Sequence, residues 1–170
     1  MMRQFFFRGR WTLLVVLALL LASSTGVCAK ELRGKVQWIY DGDTVKVAGI
    51  GKVRLLGIDA PEHEDSPRDR YYLRQGISRK NLRRIARKAL HFNIETAKGR
   101  TVRLLLDHDK RDRYGRLLAY VVLPDGRMLN RVLLEKGYAA VYRRFDFRLK
   151  KDFLRAEAVA RRRHVGLWQK

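Results

Sequence analysis

Cysteine and proline are scarce in this chain of 170 residues, and acidic side chains are few for its length. Cys28 is the only cysteine, there are three prolines, and 17 Asp and Glu stand against 38 Lys and Arg. One cysteine allows neither an internal disulfide nor a thiolate zinc site, so a folded domain must be stabilised by its apolar core. The apolar share of 46% and the scarcity of proline argue against a disordered basic tail.

The shortage of acids leaves a formal net charge of +21. A charge of this size does not determine a fold, but it predicts attraction to polyanions such as nucleic acid, acidic lipid surfaces or acidic polysaccharide. The length allows one domain with a sizeable core and little more.

The long apolar run lies near the start of the chain, from Trp11 to Ala22. Arginines and no acids precede it, and Val27 and Ala29 follow it in the small-residue arrangement that signal peptidases accept. We therefore interpret residues 1–29 as a secretory signal peptide and expect an exported protein, secreted or periplasmic, that leaves the membrane after cleavage. The alternative is an uncleaved anchor, because a membrane span needs about 20 apolar residues.

Residues 30–170 are interpreted as one domain in which five segments have the residue pattern of β-strands. The predicted strands are 35–40, 44–47, 52–58, 101–106 and 117–123. Asp-Gly and glycine turn signals separate the first three strands, which indicates a three-stranded meander.

Three helices are predicted beside these strands. The first follows Ser78, a favourable N-cap, and has apolar residues at helical spacing from Leu82 to Leu90. The second is short, with Asn130 as a candidate cap and Gly137 at its end. The third runs from about residue 147 to residue 163. The pattern predicts an α+β fold that is mainly β, a five-stranded OB-type barrel with about three helices packed on it.

Four of the 17 acids lie in one short window of this basic chain: Asp41, Asp43, Asp59 and Glu62. The meander brings the Asp41-Gly42-Asp43 turn close to Asp59, which follows the third strand. Carboxylates held together repel one another unless a cation lies among them. Asp43, Asp59, a backbone carbonyl and water would form an all-oxygen site, which suits calcium before magnesium. The four histidines are scattered, which argues against zinc.

Each of these acids also has an ordinary explanation when it is taken alone. Asp41 suits turn chemistry, Asp43 an Asx cap, and Asp59 the end of a strand before Pro61. Glu62 alone would be a solvated surface acid. Their joint occurrence at neighbouring strand ends favours the cation site.

Arginines accompany the acids at two places. Arg54 shares a strand face with Leu56 and Ile58, so it is either half-buried or directed into a cleft, where its planar group could bind phosphate through two bonds. Arg116 lies at the start of the 117–123 strand, and Arg113 and Tyr114 beside it offer a cation and an aromatic face. The alternatives are an arginine at a strand edge and an ordinary basic loop.

Three motifs occur in a specific order: DGDT at 41–44, RLLGIDAPE at 54–62 and DRYGRLLAY at 112–120. Together they resemble the thermonuclease family, the staphylococcal nuclease-like domains, and the similarity extends over roughly residues 34 to 168. The resemblance implies a calcium-dependent endonuclease that hydrolyses phosphodiester bonds of DNA and RNA and leaves 3′-phosphate ends. The segment from His63 to Gln75 matches no part of this pattern.

Carried over position by position, the resemblance places the calcium ligands at Asp43, Asp59 and the carbonyl of Ala60, and the catalytic groups at Arg54, Glu62 and Arg116. Many family members have threonine where this chain has Ala60, which is compatible with ligation through the carbonyl. The resemblance implies that Glu62 is the general base and that the two arginines stabilise the transition state.

Arg113 and Tyr114 match positions near the bound nucleotide. Stacking of bases on Tyr114 and Tyr142 would favour single-stranded or frayed substrate. The basic helix face from Arg79 to Lys88 is either a phosphate-binding surface or a solvated exterior, and the sequence leaves both open.

Two other functions stay open at this point. One is a non-catalytic nucleic-acid or methylated-peptide binding module of the same fold, against which the intact Arg54, Glu62 and Arg116 argue. The other is a cationic protein that binds membranes or cell walls through charge alone. We expect a monomer without a stable protein partner.

Overall fold

The computed structural model describes residues 31–169. The predicted signal peptide, residues 1–29, lies outside the described residues. Within residues 31–169, none of the helices combines the length and the apolar character needed to cross a bilayer.

The predicted barrel is confirmed. Its strands are β1 (Glu31–Ile39), β2 (Thr44–Val47), β3 (Gly51–Leu55), β5 (Thr101–Leu105) and β6 (Leu117–Val122). They close in the order β1-β2-β3-β6-β5, with β3 and β6 parallel and the other neighbours antiparallel. Closure pairs the outer edges of the sheet, which is how barrels avoid exposed strand edges.

The barrel interior is filled by the inward residues of the alternating strands. Val36, Val45, Val53, Leu55 and Leu104 are fully buried there. Burying one such side chain stabilises the fold by about 1.5–3 kcal/mol. The strand face that carries the apolar residues therefore turns toward the barrel interior. All six residues of β6 are buried, because helices cover its outer face.

The described residues also form four α-helices and a short strand pair. The helices are α1 (Asp69–Leu73), α2 (Arg79–Ala97), α3 (Leu129–Glu135) and α4 (Lys150–Arg162), followed by a 3-10 turn at Gly166–Trp168. The strand pair consists of β4 (Ile58–Asp59) and β7 (Ala140–Val141). As predicted, Ser78 caps α2, because its hydroxyl accepts a hydrogen bond of 3.2 Å from the Asn81 N–H. Helix α1 lies in the segment for which the sequence indicated no structure.

Three predicted boundaries were wrong. β1 begins at Glu31 rather than at 35, because residues 31–35 pair with β5. The third strand ends at Leu55 rather than at 58, because Gly57 turns the chain with φ of 80°. The last helix begins at Lys150 rather than near 147, because Phe147 is buried against Gly57, where a Cβ would lie 2.6 Å from the Phe147 ring.

The predicted cap at Asn130 was also wrong. Helix α3 begins at Leu129, and the Asn130 side chain is fully buried and joins β6 to the residue that follows β3. Its Oδ1 accepts from the Val121 N–H at 2.9 Å, and its Nδ2 donates to the Leu56 and Ala119 carbonyls at 2.9 and 3.4 Å. Asn130 therefore satisfies backbone groups where the barrel meets α3, a role that local sequence does not indicate.

Candidate functional site

The Asp41-Gly42-Asp43 turn is held in place by the core. Asp41 accepts the Asp43 N–H through Oδ1 at 2.8 Å, and the buried Asn93 amide of α2 donates to the carbonyls of Asp41 and Gly42 at 3.2 and 3.1 Å. A Cβ at Gly42 would lie 2.6 Å from the Cβ of Ala60, so only glycine allows this close approach. The turn is thereby fixed against the chain that follows β4.

Arg54 joins two acids that come from different parts of the chain. Its NH1 donates to Asp43 Oδ1 at 2.5 Å and its NH2 to Asp59 Oδ1 at 2.8 Å. The side chains of Arg54, Asp43 and Asp59 are 12%, 4% and 13% exposed, so water screens these ion pairs only weakly. The strand register explains why Arg54 reaches Asp43, because Arg54 of β3 lies opposite Thr44 of β2, the residue that follows Asp43.

Both carboxylates have further partners that fix their orientation. Asp43 Oδ2 accepts from the Ala60 N–H at 2.9 Å, and Asp43 Oδ1 accepts from the Thr44 hydroxyl at 3.0 Å. The Tyr72 hydroxyl of α1 donates to the Asp59 carbonyl at 2.8 Å and lies 3.2 Å from Asp59 Oδ2. Ala60, the predicted backbone ligand, is therefore directly beside the two predicted carboxylate ligands.

Negative charge accumulates around the carboxylates of Asp43 and Asp59. Burial, together with the nearby Asp43 carboxylate, raises the pKa of Asp41 to about 7. Burial and Asp43 also raise the pKa of Asp59, although Arg54 opposes the rise. Burial alone would lower the pKa of Arg54, but Asp43 and Asp59 outweigh burial and raise it. One guanidinium therefore does not fully neutralise the three carboxyl groups.

A cleft of about 450 Å³ opens beside Arg54 and Asp59, and Arg116 lines it as well. Arg116 donates to Asp112 Oδ2 through Nε at 2.7 Å and lies 3.5 Å from the Thr44 hydroxyl through NH1. The Gly115 turn, with φ of 76°, places Arg116 just before β6. Two predicted catalytic arginines therefore lie on the same cleft.

The predicted substrate-binding residues also line this cleft. Tyr114 is 63% exposed, and the guanidinium groups of Arg113 and Arg116 lie 4.8 and 5.5 Å from the centroid of its ring. Tyr142 contributes a second aromatic ring, and it packs 5.2 Å from the ring of Phe145. The cleft thus combines several guanidinium groups with two aromatic faces.

Glu62 lies at the edge of this arrangement and does not line the cleft. Its Oε1 forms an ion pair of 2.5 Å with Arg68, and Arg68 does line the cleft. The backbone carbonyls of Glu62 and Glu64 accept hydrogen bonds from Arg83 of α2, which also pairs with the buried Asp69. Asp43 likewise does not line the cleft and lies behind Arg54.

Four residues of the site were missed in the sequence. Tyr72 and Arg68 lie in the segment that matched no motif, and Arg83 was counted only as part of a basic helix face. Asn93 carried a usable signal, because it continues the apolar face of α2 four residues after Ala89. A polar residue at such a position indicates a buried hydrogen bond.

The donor set allows a hard cation but does not form a complete protein cage. Asp43 and Asp59 offer carboxylates and Ala60 a carbonyl, and oxygen donors are the ligands of calcium and magnesium. Within residues 31–169, no group of three His, Cys, Asp or Glu side chains is placed to hold a metal ion. The remaining coordination positions would therefore have to come from water or substrate.

The pKa of Asp41 predicts how stability changes with pH. The folded-state value of about 7 exceeds the ordinary value of 3.8, so folding favours the protonated form. The stabilising contribution is complete below the ordinary value and is lost as the pH rises toward the folded-state value. With a chelator present, Asp41→Asn should therefore raise the Tm above pH 7 and leave it nearly unchanged at acidic pH, because the amide oxygen can still accept the Asp43 N–H.

Thermal melts of wild type and variant across this pH range measure the effect. Asp146→Asn, at a side chain that is 93% exposed, is the control and should reproduce the wild-type profile. If the Tm difference between Asp41→Asn and wild type is the same at acidic and neutral pH, the raised pKa of Asp41 is contradicted.

The fold and the site together define the class of this protein. It is a basic OB-fold protein with a polar cleft, in which arginines lie beside paired carboxylates. The family model described as "Staphylococcal nuclease homologue" matches residues 52–170, and the chain belongs to this family.

Relatives from distant organisms agree with this membership. An uncharacterized protein of Methanocaldococcus jannaschii is 42% identical over 147 residues, which cover 79% of this chain and 70% of the relative. An uncharacterized endonuclease of Escherichia coli O157:H7 is 30% identical over 157 residues, covering 91% and 88% of the two chains. The thermonuclease of Staphylococcus hyicus is 30% identical over 146 residues, covering 82% and 78%.

Proposed function

We propose that this chain is a calcium-dependent endonuclease that hydrolyses phosphodiester bonds of DNA and RNA. The observation that carries the proposal is Arg54, which joins Asp43 and Asp59 beside a cleft that Arg116 also lines. Membership of the staphylococcal nuclease homologue family supports nuclease activity, as do the names endonuclease and thermonuclease of two relatives.

The proposed calcium ligands are Asp43, Asp59 and the carbonyl of Ala60. The fit rests on charge, because one guanidinium contacts both carboxylates while the half-buried Asp41 beside them has a raised pKa. A hard cation would relieve this excess of negative charge. When bound, calcium would supply a Lewis acid for a phosphate oxygen and a more acidic water.

The arginines would bind the scissile phosphate. The contacts of Arg54 with Asp43, Asp59 and the Ile58 carbonyl use NH1 once and NH2 twice, so the Nε–H and the second NH1 hydrogen can still donate. Arg116 is oriented by Asp112. Fixed donors of this kind stabilise the charge that develops on phosphate oxygens, because they need no reorganisation during the reaction.

Glu62 is the proposed general base. Its Oε1 is held by Arg68, which leaves Oε2 to accept a proton from the attacking water. Attack in line with the leaving 5′ oxygen would form the new P–O bond as the P–O5′ bond breaks. The leaving oxygen would take a proton from solvent water, which gives 5′-hydroxyl and 3′-phosphate ends. Because Glu62 lies at the edge of the cleft, the proposal requires the scissile phosphate to lie between this edge and Arg54.

The exposed ring of Tyr114 supports a preference for single-stranded or frayed substrate, because an unpaired base can stack on an aromatic face. Tyr142 is the proposed second stacking residue. We also propose that the protein acts outside the cytoplasm as a monomer, after removal of residues 1–29.

Removal of the metal tests this function. Cleavage of heat-denatured DNA and of RNA is expected to disappear in EGTA and to return when calcium is added in excess. The fragment ends are expected to block primer extension until a phosphatase removes the 3′-phosphate. Cleavage that persists in EGTA would overturn the proposed metal dependence. Binding of DNA without cleavage under calcium would instead establish the non-catalytic binding module.

A further inference from the structure

A second groove, of about 760 Å³, opens beside the cleft and is lined mainly by arginines. Its arginines come from α1 and its flanks, from the segment after β7, and from the end of α4. They are Arg68, Arg70, Arg74, Arg143, Arg144 and Arg161. Of these, the site described above involves Arg68, through its pair with Glu62, and Arg144, which lines the cleft.

The groove adjoins the cleft. Arg68 and Arg144 line both, so the two cavities share a boundary. Helix α1 also fixes the groove relative to the candidate metal ligands, because the Tyr72 hydroxyl donates to the Asp59 carbonyl at 2.8 Å. A polymer held in the cleft can therefore continue along the groove.

The groove has more positive charge than its own carboxylates neutralise. The buried Glu157 pairs with Arg143 and Arg161, and Glu62 pairs with Arg68. Within the described part of the chain, Arg70, Arg74 and Arg144 form no salt bridge, and all three are exposed. Their guanidinium groups are thus available to an external anion.

The groove also offers an aromatic face. Tyr71 of α1 is 38% exposed, and its hydroxyl accepts a hydrogen bond of 2.8 Å from Arg143. Its ring packs edge-on against Tyr72 at 5.1 Å, which fixes its orientation. Guanidinium groups that follow a chain of phosphates, with an aromatic ring among them, are typical of single-strand binding sites.

We propose that this groove binds the phosphodiester backbone of the polynucleotide on one side of the scissile bond, a proposal that rests on the proposed function. Arginine binds phosphate through two parallel hydrogen bonds, and such contacts are independent of base sequence. An acidic membrane would meet the rim of the groove, because its surface is flat and the lining is concave. The groove gives α1, in the segment without a recognisable motif, a role in substrate binding.

Binding of oligonucleotides of different length tests this proposal. In EGTA, where cleavage is not expected, fluorescent single strands of about 16 nucleotides, the largest site of one OB barrel, are compared with a dinucleotide. For Arg70→Ala/Arg74→Ala we expect Kd for the long strand to rise about 10-fold and Kd for the dinucleotide to stay unchanged. The slope of log K against log salt should become shallower by about 1.4 for the two lost phosphate contacts.

The matched control is Lys151→Ala/Arg155→Ala, which removes the same charge from exposed positions of α4 outside the groove and the cleft. The control should keep the wild-type Kd and salt slope. An equal loss in both double variants would show an effect of net charge alone and overturn the proposal. Equal weakening for both lengths, or loss of binding to phosphatidylglycerol vesicles only, would also overturn it.

Cleavage is scored separately, with calcium, on both substrates. If wild type cuts DNA and the groove variant binds and cuts the long strand as well as wild type, the groove proposal fails and the nuclease stands. If the groove variant loses affinity for the long strand but wild type never cuts DNA, the proposal for the groove is supported and the proposed nuclease activity is wrong.

Discussion

Replacing Arg54 with glutamine is expected to destabilise the folded chain by about 3–5 kcal/mol and to lower turnover by at least about 10²-fold. The loss of stability follows from burial, because Asp43 and Asp59 would keep their positions without the guanidinium that contacts both. The loss of turnover follows from the cleft, where Arg54 would no longer bind the scissile phosphate. Urea unfolding and cleavage of single-stranded DNA measure the two effects.

Calcium should partly reverse the loss of stability in this variant. A cation between Asp43 and Asp59 would replace the missing positive charge, so added calcium should raise the Tm of Arg54→Gln more than that of wild type. Arg103→Gln is the control, because Arg103 is also a barrel arginine but pairs with Glu31 on the outside of the barrel. The control should lose less than about 1 kcal/mol and keep its activity. An equal calcium effect on wild type and Arg54→Gln would contradict a shared role of Arg54 and the cation.

The barrel could be predicted because its five strands satisfy two rules at once. Each strand alternates or is continuously apolar, and each is bounded by turn residues, as at Asp41-Gly42 and at Pro124-Asp125-Gly126. Helix α2 was equally clear, since its cap at Ser78 and its apolar spacing agree. Local sequence and tertiary packing select the same structure in these elements.

The elements that were missed depend on contacts between distant residues. β4 and β7 contain two residues each, and each exists only because the other pairs with it. Helix α1 has five residues and is held by the contact of Tyr72 with Asp59 and by the pair of Asp69 with Arg83. Neither contact has a local signature, so periodicity could not indicate them. The position of Asn130 has the same explanation.

The candidate site also contains some features that the sequence predicted and others that depend on contacts between distant residues. The meander predicts that Asp43 and Asp59 approach each other, and the structure adds that Arg54 lies between them. The sequence could not show that Glu62 lies at the edge of the cleft, because Arg68 and Arg83 set its position. These two arginines come from a segment without a motif and from a distant helix.

Glu62→Gln is expected to lower kcat by about 10²–10⁴-fold, the range for loss of a general base, while Kd for single-stranded DNA stays close to that of wild type. Glutamine keeps the shape of the side chain and can still accept a hydrogen bond from Arg68, but it cannot take a proton from water. Single-turnover cleavage and binding in EGTA separate the two effects, because only cleavage needs the base.

Glu64→Gln is the matched control, since Glu64 is exposed and its backbone carbonyl is held by the same Arg83. It should cleave at the wild-type rate, which would show that an added amide in this loop does not disturb the site. If Glu62→Gln keeps most of the activity, the base must lie elsewhere, and Asp41, with its pKa of about 7 beside Asp43, is the residue to test next. If Glu62→Gln instead loses binding and cleavage together, the Glu62–Arg68 pair organises substrate binding and Glu62 is not the base.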